Sequence, residues 1–380
     1  MKLFIKRYPI MDSNTVRIYP HPLDYVSGSK YSLTSLSVNH EYRITPSSFI
    51  VREVIDEGYL VKRVDLHGRE GYIVVRVVKK GLDTFEALRI LSRKLGIPVG
   101  NIYFHGLKDK NATTTSYFYI KRLLVDEKIF PIQGDKVVFE IAGYTRFKPG
   151  REVFKGNEFE VLIQGLDEHQ QEVMKKILEL INKHGLPAYY GYQRFGVKRY
   201  NTHLLGKYVV KRREDCFSRI LLDTVYPGED LEAIVKRIRR DFTSFYYEGR
   251  YVRAGYNGLG LKNVLKALNE IVIDAYAGYL YNLLLNKIIE ERGFMDLDKA
   301  YPMPGCIESV ELYSSIFSEE GLTLEEARSL PCYYRRGLFK PLNTRMSCTG
   351  DICRLVFMLE PGLYATVVLR ELFKEKLVLN

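Results

Sequence analysis

The sequence predicts an α+β protein in which a sheet-forming layer is interrupted by a mainly helical insertion. Three observations carry that reading. Strand-type runs alternate with amphipathic helices over the first half of the chain, helix-forming stretches replace them beyond Gly185, and strand-like character returns at the far end. At 380 residues the chain also exceeds the size at which a single hydrophobic core stops growing. Its 46% hydrophobic and 27% charged content is that of a folded protein.

Tyr72 to Lys79 reads YIVVRVVK, a β-branched run suited to a largely buried strand. Asp83 and Glu86 then have capping-box spacing ahead of the periodic Phe85, Leu88, Leu91 and Leu95, and Gly96 stands where that helix would end. Ile102 to His105 reads as a short strand, Gly106 to Ala112 as a polar loop, and Thr114 to Lys121 as a further strand. Asn157 to Gln164 (NEFEVLIQ) is another strand candidate. A helix follows over Asp167 to Lys183, with Val173, Ile177, Leu180 and Ile181 on one face. The insertion carries helix-forming stretches at Asp230 to Phe242 and Leu259 to Arg292. Leu355 to Leu359 and Tyr364 to Leu369 are strand-like around the Pro361-Gly362 turn signal.

A formal net charge of +11 favours a polyanionic partner, of which nucleic acid is the commonest. The 29 tyrosines strengthen that reading, because exposed aromatic rings stack on unpaired bases; the alternative is that they are mostly core. Five cysteines form neither a CxxC pair nor a zinc-type cluster, so no metal site is expected. Their odd count points to free thiols in a reducing, cytoplasmic setting, although Cys348 and Cys353 could meet across a turn. No apolar run approaches the roughly 20 residues of a membrane helix. GxxxxGK[ST], HExxH and a dinucleotide fingerprint are absent from the sequence, which disfavours ATP, metal and nicotinamide chemistry.

The chemistry-bearing segment is Gly106-Leu107-Lys108-Asp109-Lys110-Asn111-Ala112-Thr113-Thr114, a lone carboxylate between two lysines. Neighbouring positive charge favours the ionised form, suiting Asp109 to act as a nucleophile or electrostatic stabiliser. Taken in isolation, G-x-K-D-K is a surface turn in most proteins. The extended segment GLKDKNATTTSYFYI, however, resembles the signature loop of the TruD pseudouridine synthases through Gly106, Lys108, Asp109, Lys110, Ala112 and Thr114, with Ser116 at the family's usual Gln. Four further segments resemble the family in its order: Arg43 to Glu53, with Ser47 and Ser48 replacing two acids; Gly156-Asn157-Glu158-Phe159; Gly185 to Gly196, with Ala188 for Asn; and Pro361 to Glu371. A weaker match covers Ala275 to Asn282, which a core helix explains equally well.

This resemblance implies a catalytic domain with a mixed or antiparallel sheet formed by residues 1–184 and 339–380, interrupted by an inserted TRUD domain at residues 185–338. It implies isomerisation of a specific uridine in tRNA without any cofactor: uridine 13 and, in some members, uridine 35 of a tyrosine tRNA precursor. Asp109 would be the catalytic carboxylate, with Arg43 pairing with it and Lys108 in support. The uridine, flipped out of the RNA, would meet Asn157, Phe159 and Tyr364. Lys110, Arg194, Lys198 and Arg199 would lie beside phosphates, with Lys207 to Arg213 as a further basic rim. The expected partner is tRNA or another structured RNA, with no membrane association, and the expected state is a monomer. Two rivals stay open: a non-catalytic RNA-binding protein of the same fold, and a glycosidase-type hydrolase. The hydrolase needs a second acid, and none is evident near the loop.

Overall fold

The computed structural model describes residues 17–63, 67–68, 70–106, 108, 111–148, 150–196, 199–222 and 258–379. Within them the chain forms two compact units. One comprises Met1–Asn39, Lys176–Lys340 and Leu363–Leu377, and the other His40–Lys175, Pro341–Gly362 and Val378–Asn380.

The second unit is built on a nine-stranded sheet. Its strands are β1 (Phe49–Ile55), β2 (Tyr72–Lys80), β3 (Ile102–Phe104), β4 (Thr113–Lys121), β5 (Ile132–Gly134), β6 (Val137–Thr145), β7 (Phe154–Ile163), β8 (Leu342–Thr349) and β9 (Ile352–Leu359). They lie in the order β8-β9-β7-β1-β4-β2-β6-β5, with β3 on β4. β1 and β4 pair in parallel and the other neighbours pair antiparallel. The mixed sheet with helices is the α+β class expected.

Helix α1 (Thr84–Leu95) covers part of one face. It opens on the Asp83–Glu86 capping box and closes on Gly96 in the left-handed region, as its sequence signals indicated. Leu88 and Leu91 pack on Ile73, Val75, Val77, Phe118, Ile120 and Phe139 to make the main core of this unit. In β1 the burial alternates strictly, so Phe49, Val51, Glu53 and Ile55 point to one side. Glu53 is the one charged residue in that buried row.

Helix α2 (Glu168–His184) leads out of the sheet unit. The other unit is mainly helical, with α3 (Thr202–Val210), α4 (Glu214–Leu222), the long α5 (Gly258–Arg292), α6 (Val310–Glu320) and α7 (Ala365–Phe373). The stretch expected at Leu259 to Arg292 is therefore helical, while the one at Asp230 to Phe242 lies outside the described residues. Close approach of α3 to α5 depends on Gly206, where a Cβ would sit 1.9 Å from the Val272 carbonyl oxygen.

Two expectations are corrected. Tyr364 to Leu369 is not a strand: Tyr364 precedes α7, and every residue of that helix is buried. Burial on all sides leaves no alternation to distinguish the two periods, and packing overrides the β-propensity of Thr366, Val367 and Val368. Nor are the cysteines mostly free thiols. Cys306 bonds to Cys332 and Cys348 to Cys353, leaving Cys216 unpaired. The β8–β9 register sets Cys348 directly opposite Cys353, so the hairpin brings them together.

Candidate active site and its surroundings

The loop after β3 reaches Lys108 on its way to β4, and Lys108 is held at backbone and side chain alike. Its N–H donates to Thr84 Oγ1 at 2.9 Å, and its carbonyl accepts from Thr84 Oγ1 and Lys79 Nζ, both at 3.4 Å. Its ammonium lies 3.0 Å from Glu53 Oε2, with the two side chains 5% and 1% exposed. The charge also stands 5.2 Å over the Phe154 ring, on which His105 stacks while its Nε2 meets the Tyr119 hydroxyl at 3.0 Å. Burial raises the Glu53 pKa and Lys108 pulls it down; burial and then Lys108 lower that of His105.

Lys108 thus points inward, and its charge is met by Glu53 rather than left beside RNA phosphates. Sequence spacing alone says nothing of this side-chain direction. Asp109 and Lys110 lie outside the described residues. The expectation that no second acid stands near the loop is also corrected, because Glu53 is joined to it through Lys108. A charged residue in the alternating row Phe49, Val51, Glu53, Ile55 was the available signal.

Asn157 lies opposite Glu53 across the β1–β7 ladder, and Phe159 opposite Val51. Thr114 pairs with both Val51 and Lys79, and Ser116 with Val77. Paired positions share a face, so Glu53, Asn157, Thr114 and Ser116 all stand on the α1 side. On that face Glu53 Oε1, Asn157 Oδ1, Thr114 Oγ1 and Ser116 Oγ are buried with no hydrogen-bond partner among the described residues. Such a concentration of unmet polar atoms is unusual in a protein interior, where the great majority are bonded. Phe159 is stacked between Phe49 and Phe357, with ring centroids 5.7 and 5.4 Å away. Gly156 is dictated by backbone contact: a Cβ there would lie 2.1 Å from the Leu359 carbonyl oxygen, at a φ of 144°.

Arg43 is exposed and reaches Glu41 at 3.2 Å. Ser48 Oγ donates to the Arg43 carbonyl at 2.9 Å, and Ser47 Oγ lies 3.0 Å from Thr45 Oγ1. The two serines that replace acids therefore shape the turn leading into β1.

In the helical unit, Arg194 donates from Nε to the Tyr364 hydroxyl at 3.0 Å and lies 3.8 Å from Asp274. Gly191 lets this segment approach Tyr364, since a Cβ would be 2.8 Å from that residue's own Cβ. Arg194 and Tyr364 are thus brought together, as their separate motifs did not foretell. Arg199 is partly buried, and Lys198 lies outside the described residues. In the stretch expected as a basic rim, Lys207 pairs with Glu320, Lys211 with Glu326, Arg212 with Glu325 and Arg213 with Asp215. Three of these acids are distant in sequence, and Asp215 stands directly beside the stretch.

The closing Arg370-Glu371 pair is structural. Arg370 is buried, with Nε 2.7 Å from Asp24 Oδ1 and its other nitrogens donating to the Ser29 and Tyr31 carbonyls. Glu371 accepts from the Leu33 and Thr34 N–H groups and pairs with Lys374 at 2.5 Å.

Among the described residues no group of three or more His, Cys, Asp or Glu side chains could hold a metal ion, and no helix is long and apolar enough to cross a membrane.

Comparison with known proteins agrees on one family. The profile described as tRNA pseudouridine synthase D (TruD) matches residues 26–302, well over half of the chain. A protein from Aquifex aeolicus named tRNA pseudouridine synthase D is 26% identical, covering 86% of this chain and 96% of its own length. A Pyrobaculum neutrophilum protein named probable tRNA pseudouridine synthase D is 28% identical over 87% of this chain and 90% of its own. In fold, the chain superposes with a TM-score of 0.59 on a crystal structure of a Methanosarcina mazei protein described as TruD, at 21% identity and 94% coverage of this chain.

Proposed function

Because the chain belongs to the tRNA pseudouridine synthase D (TruD) family, we propose that it isomerises one specific uridine of tRNA to pseudouridine, with Asp109 as the catalytic carboxylate. Uridine 13 is the first candidate target and uridine 35 of a tyrosine tRNA precursor the second. The reaction breaks the N1–C1′ bond and forms C5–C1′; N1 gains a proton and C5 loses one. Nothing is oxidised or reduced, so the chemistry calls for positioning and proton transfer and for no cofactor. Arg43 would orient Asp109 by a charge-assisted hydrogen bond. Asn157, Phe159 and Tyr364 would receive the flipped uracil, and Lys110, Arg194, Lys198 and Arg199 would hold phosphates. Lys108 supports the loop from inside. The reading takes the enzyme as a cytoplasmic monomer, with residues 1–184 and 339–380 as catalytic domain and 185–338 as insertion.

The observation that supports the pocket assignment is the buried Asn157 Oδ1, unpartnered among the described residues, an acceptor of the type that reads a base edge. The test is incubation of the purified protein with unmodified tRNA transcripts and no added cofactor, followed by carbodiimide–primer-extension mapping, alongside Asp109→Asn. Product at one uridine, lost in the variant, is expected. Salt-sensitive binding without product would favour a non-catalytic RNA-binding protein, and equal product from the variant would remove Asp109 from the mechanism.

A further inference from the structure

We propose that Glu53 is a positioning residue for the reaction: through its buried ion pair with Lys108 it fixes the start of the loop that carries Asp109. The inference rests on the proposed role of Asp109. Lys108, immediately before that residue, is anchored from three elements. Thr84 at the start of α1 grips its N–H and carbonyl, Lys79 near the end of β2 donates to its carbonyl, and Glu53 of β1 takes its ammonium at 3.0 Å. The backbone bonds hold this peptide unit to Thr84 and Lys79 but leave the side chain to be fixed separately. The tether to Glu53 adds a further fixed point from a third element.

Stability does not account for this arrangement. A buried ion pair contributes little beyond an apolar pair of the same volume, and the neighbours of Glu53 in its row are Phe49, Val51 and Ile55. A valine there would complete the strand. Among the described residues Glu53 instead leaves Oε1 without a partner, which adds a desolvation cost. Such a costly pair is explained by what it holds in place, since reacting groups must be kept within about 0.5 Å of productive geometry.

The experiment compares wild type, Glu53→Gln and the double variant Glu53→Gln/Lys108→Met. Single-turnover pseudouridine formation, tRNA KM and hydrogen exchange of the peptide spanning residues 106–112 are measured, all normalised to the folded fraction. Glu53→Gln keeps the volume and leaves the Lys108 charge unpaired. Its kcat is expected to fall about 100-fold with KM within about twofold, and loop exchange to quicken about tenfold. Removing both charges should recover part of the lost protection and rate, because no lone charge then remains buried. A lowered melting temperature with unchanged kcat and unchanged loop exchange would overturn the proposal, as would a fall in rate without any change in exchange. If wild type itself forms no pseudouridine, the functional reading fails, while the exchange data still decide whether Glu53 holds the loop.

Discussion

Two polar clusters in this protein are both buried and treat their hydrogen bonds in opposite ways. Around Arg370 in the helical unit, Asp24 takes the guanidinium, the Tyr192 hydroxyl at 2.6 Å and the His21 N–H at 2.8 Å. Asn282, also buried, bonds the Tyr190 backbone at both its N–H and its carbonyl. On the α1 face of the sheet unit, Glu53, Asn157, Thr114 and Ser116 each keep an atom without a partner among the described residues. A satisfied cluster is a staple; an unsatisfied one keeps its bonding capacity for something else. The distinction matters because both clusters come from segments that resemble the same family, and motif membership alone does not tell fold from chemistry.

The largest effect on stability should come from breaking the staple. Arg370→Met strands a buried Asp24 and releases the 17–34 segment, at a cost of about 3–5 kcal/mol, to be read from chemical denaturation. If the cost is below about 1 kcal/mol, the cluster is not a staple and the contrast with the sheet unit collapses.

A titration sharpens the same contrast within the helical unit. His203 is buried between Phe195 and Tyr279, its Nδ1 has no partner among the described residues, and burial, followed by nearby Lys207, lowers its pKa from 6.5 to about 4. The unfolded chain therefore binds a proton between these values that the folded chain does not. Stability is full above pH 6.5 and is lost as pH falls toward 4, by up to about 3 kcal/mol. His21 is also lowered by burial and adds in the same direction. Glu53, raised by burial, acts oppositely: its contribution is greatest at low pH and is lost as pH rises. His203→Phe should flatten the denaturation free energy between pH 6.5 and 5, and an unchanged slope would remove His203 as the cause.

Gly156→Ala sits between the two kinds of effect. The added Cβ meets a backbone carbonyl at 2.1 Å in a region that L-residues rarely adopt, so roughly 2–3 kcal/mol should be lost. The β7–β9 pairing that aligns Asn157 with Leu359 would be disturbed with it. A neutral melting curve would show that the strands can part there without cost.

How far the sequence revealed these differences depends on the range of the interaction. Capping at Asp83 and Gly96 and the runs of β2, β4 and β7 are local signals and were legible. The helix at Ala365–Phe373 was not, because an element buried on every side shows no period. The acids that meet Lys207, Lys211 and Arg212 were not legible, because they lie far away in the sequence and only the fold brings them close. At the candidate site, the motifs named Asn157 and Asp109, but the inward turn of Lys108 depends on which strand presents Glu53. The clue was a glutamate in an apolar alternation, and it needed the fold to say what it faced.

Asn157→Ala should have the smallest effect on stability and is the sharpest test of the contrast. The change deletes an amide whose oxygen has no partner among the described residues, so the lost packing is offset by a desolvation penalty no longer incurred, and stability should stay within about 1 kcal/mol of wild type. The same change removes an acceptor that the proposed uracil would use, which should slow pseudouridine formation on the order of tenfold. A staple behaves the other way: Asn282→Ala, which strands a backbone N–H and carbonyl in the helical unit, should lower stability by about 1–3 kcal/mol. Measured together by denaturation and single-turnover rate, the two asparagines should separate cleanly, one moving rate without stability and the other stability first. If Asn157→Ala instead unfolds the protein and leaves the rate per folded molecule unchanged, its amide is part of the scaffold, and the unmet oxygens of the sheet face have another use than the base.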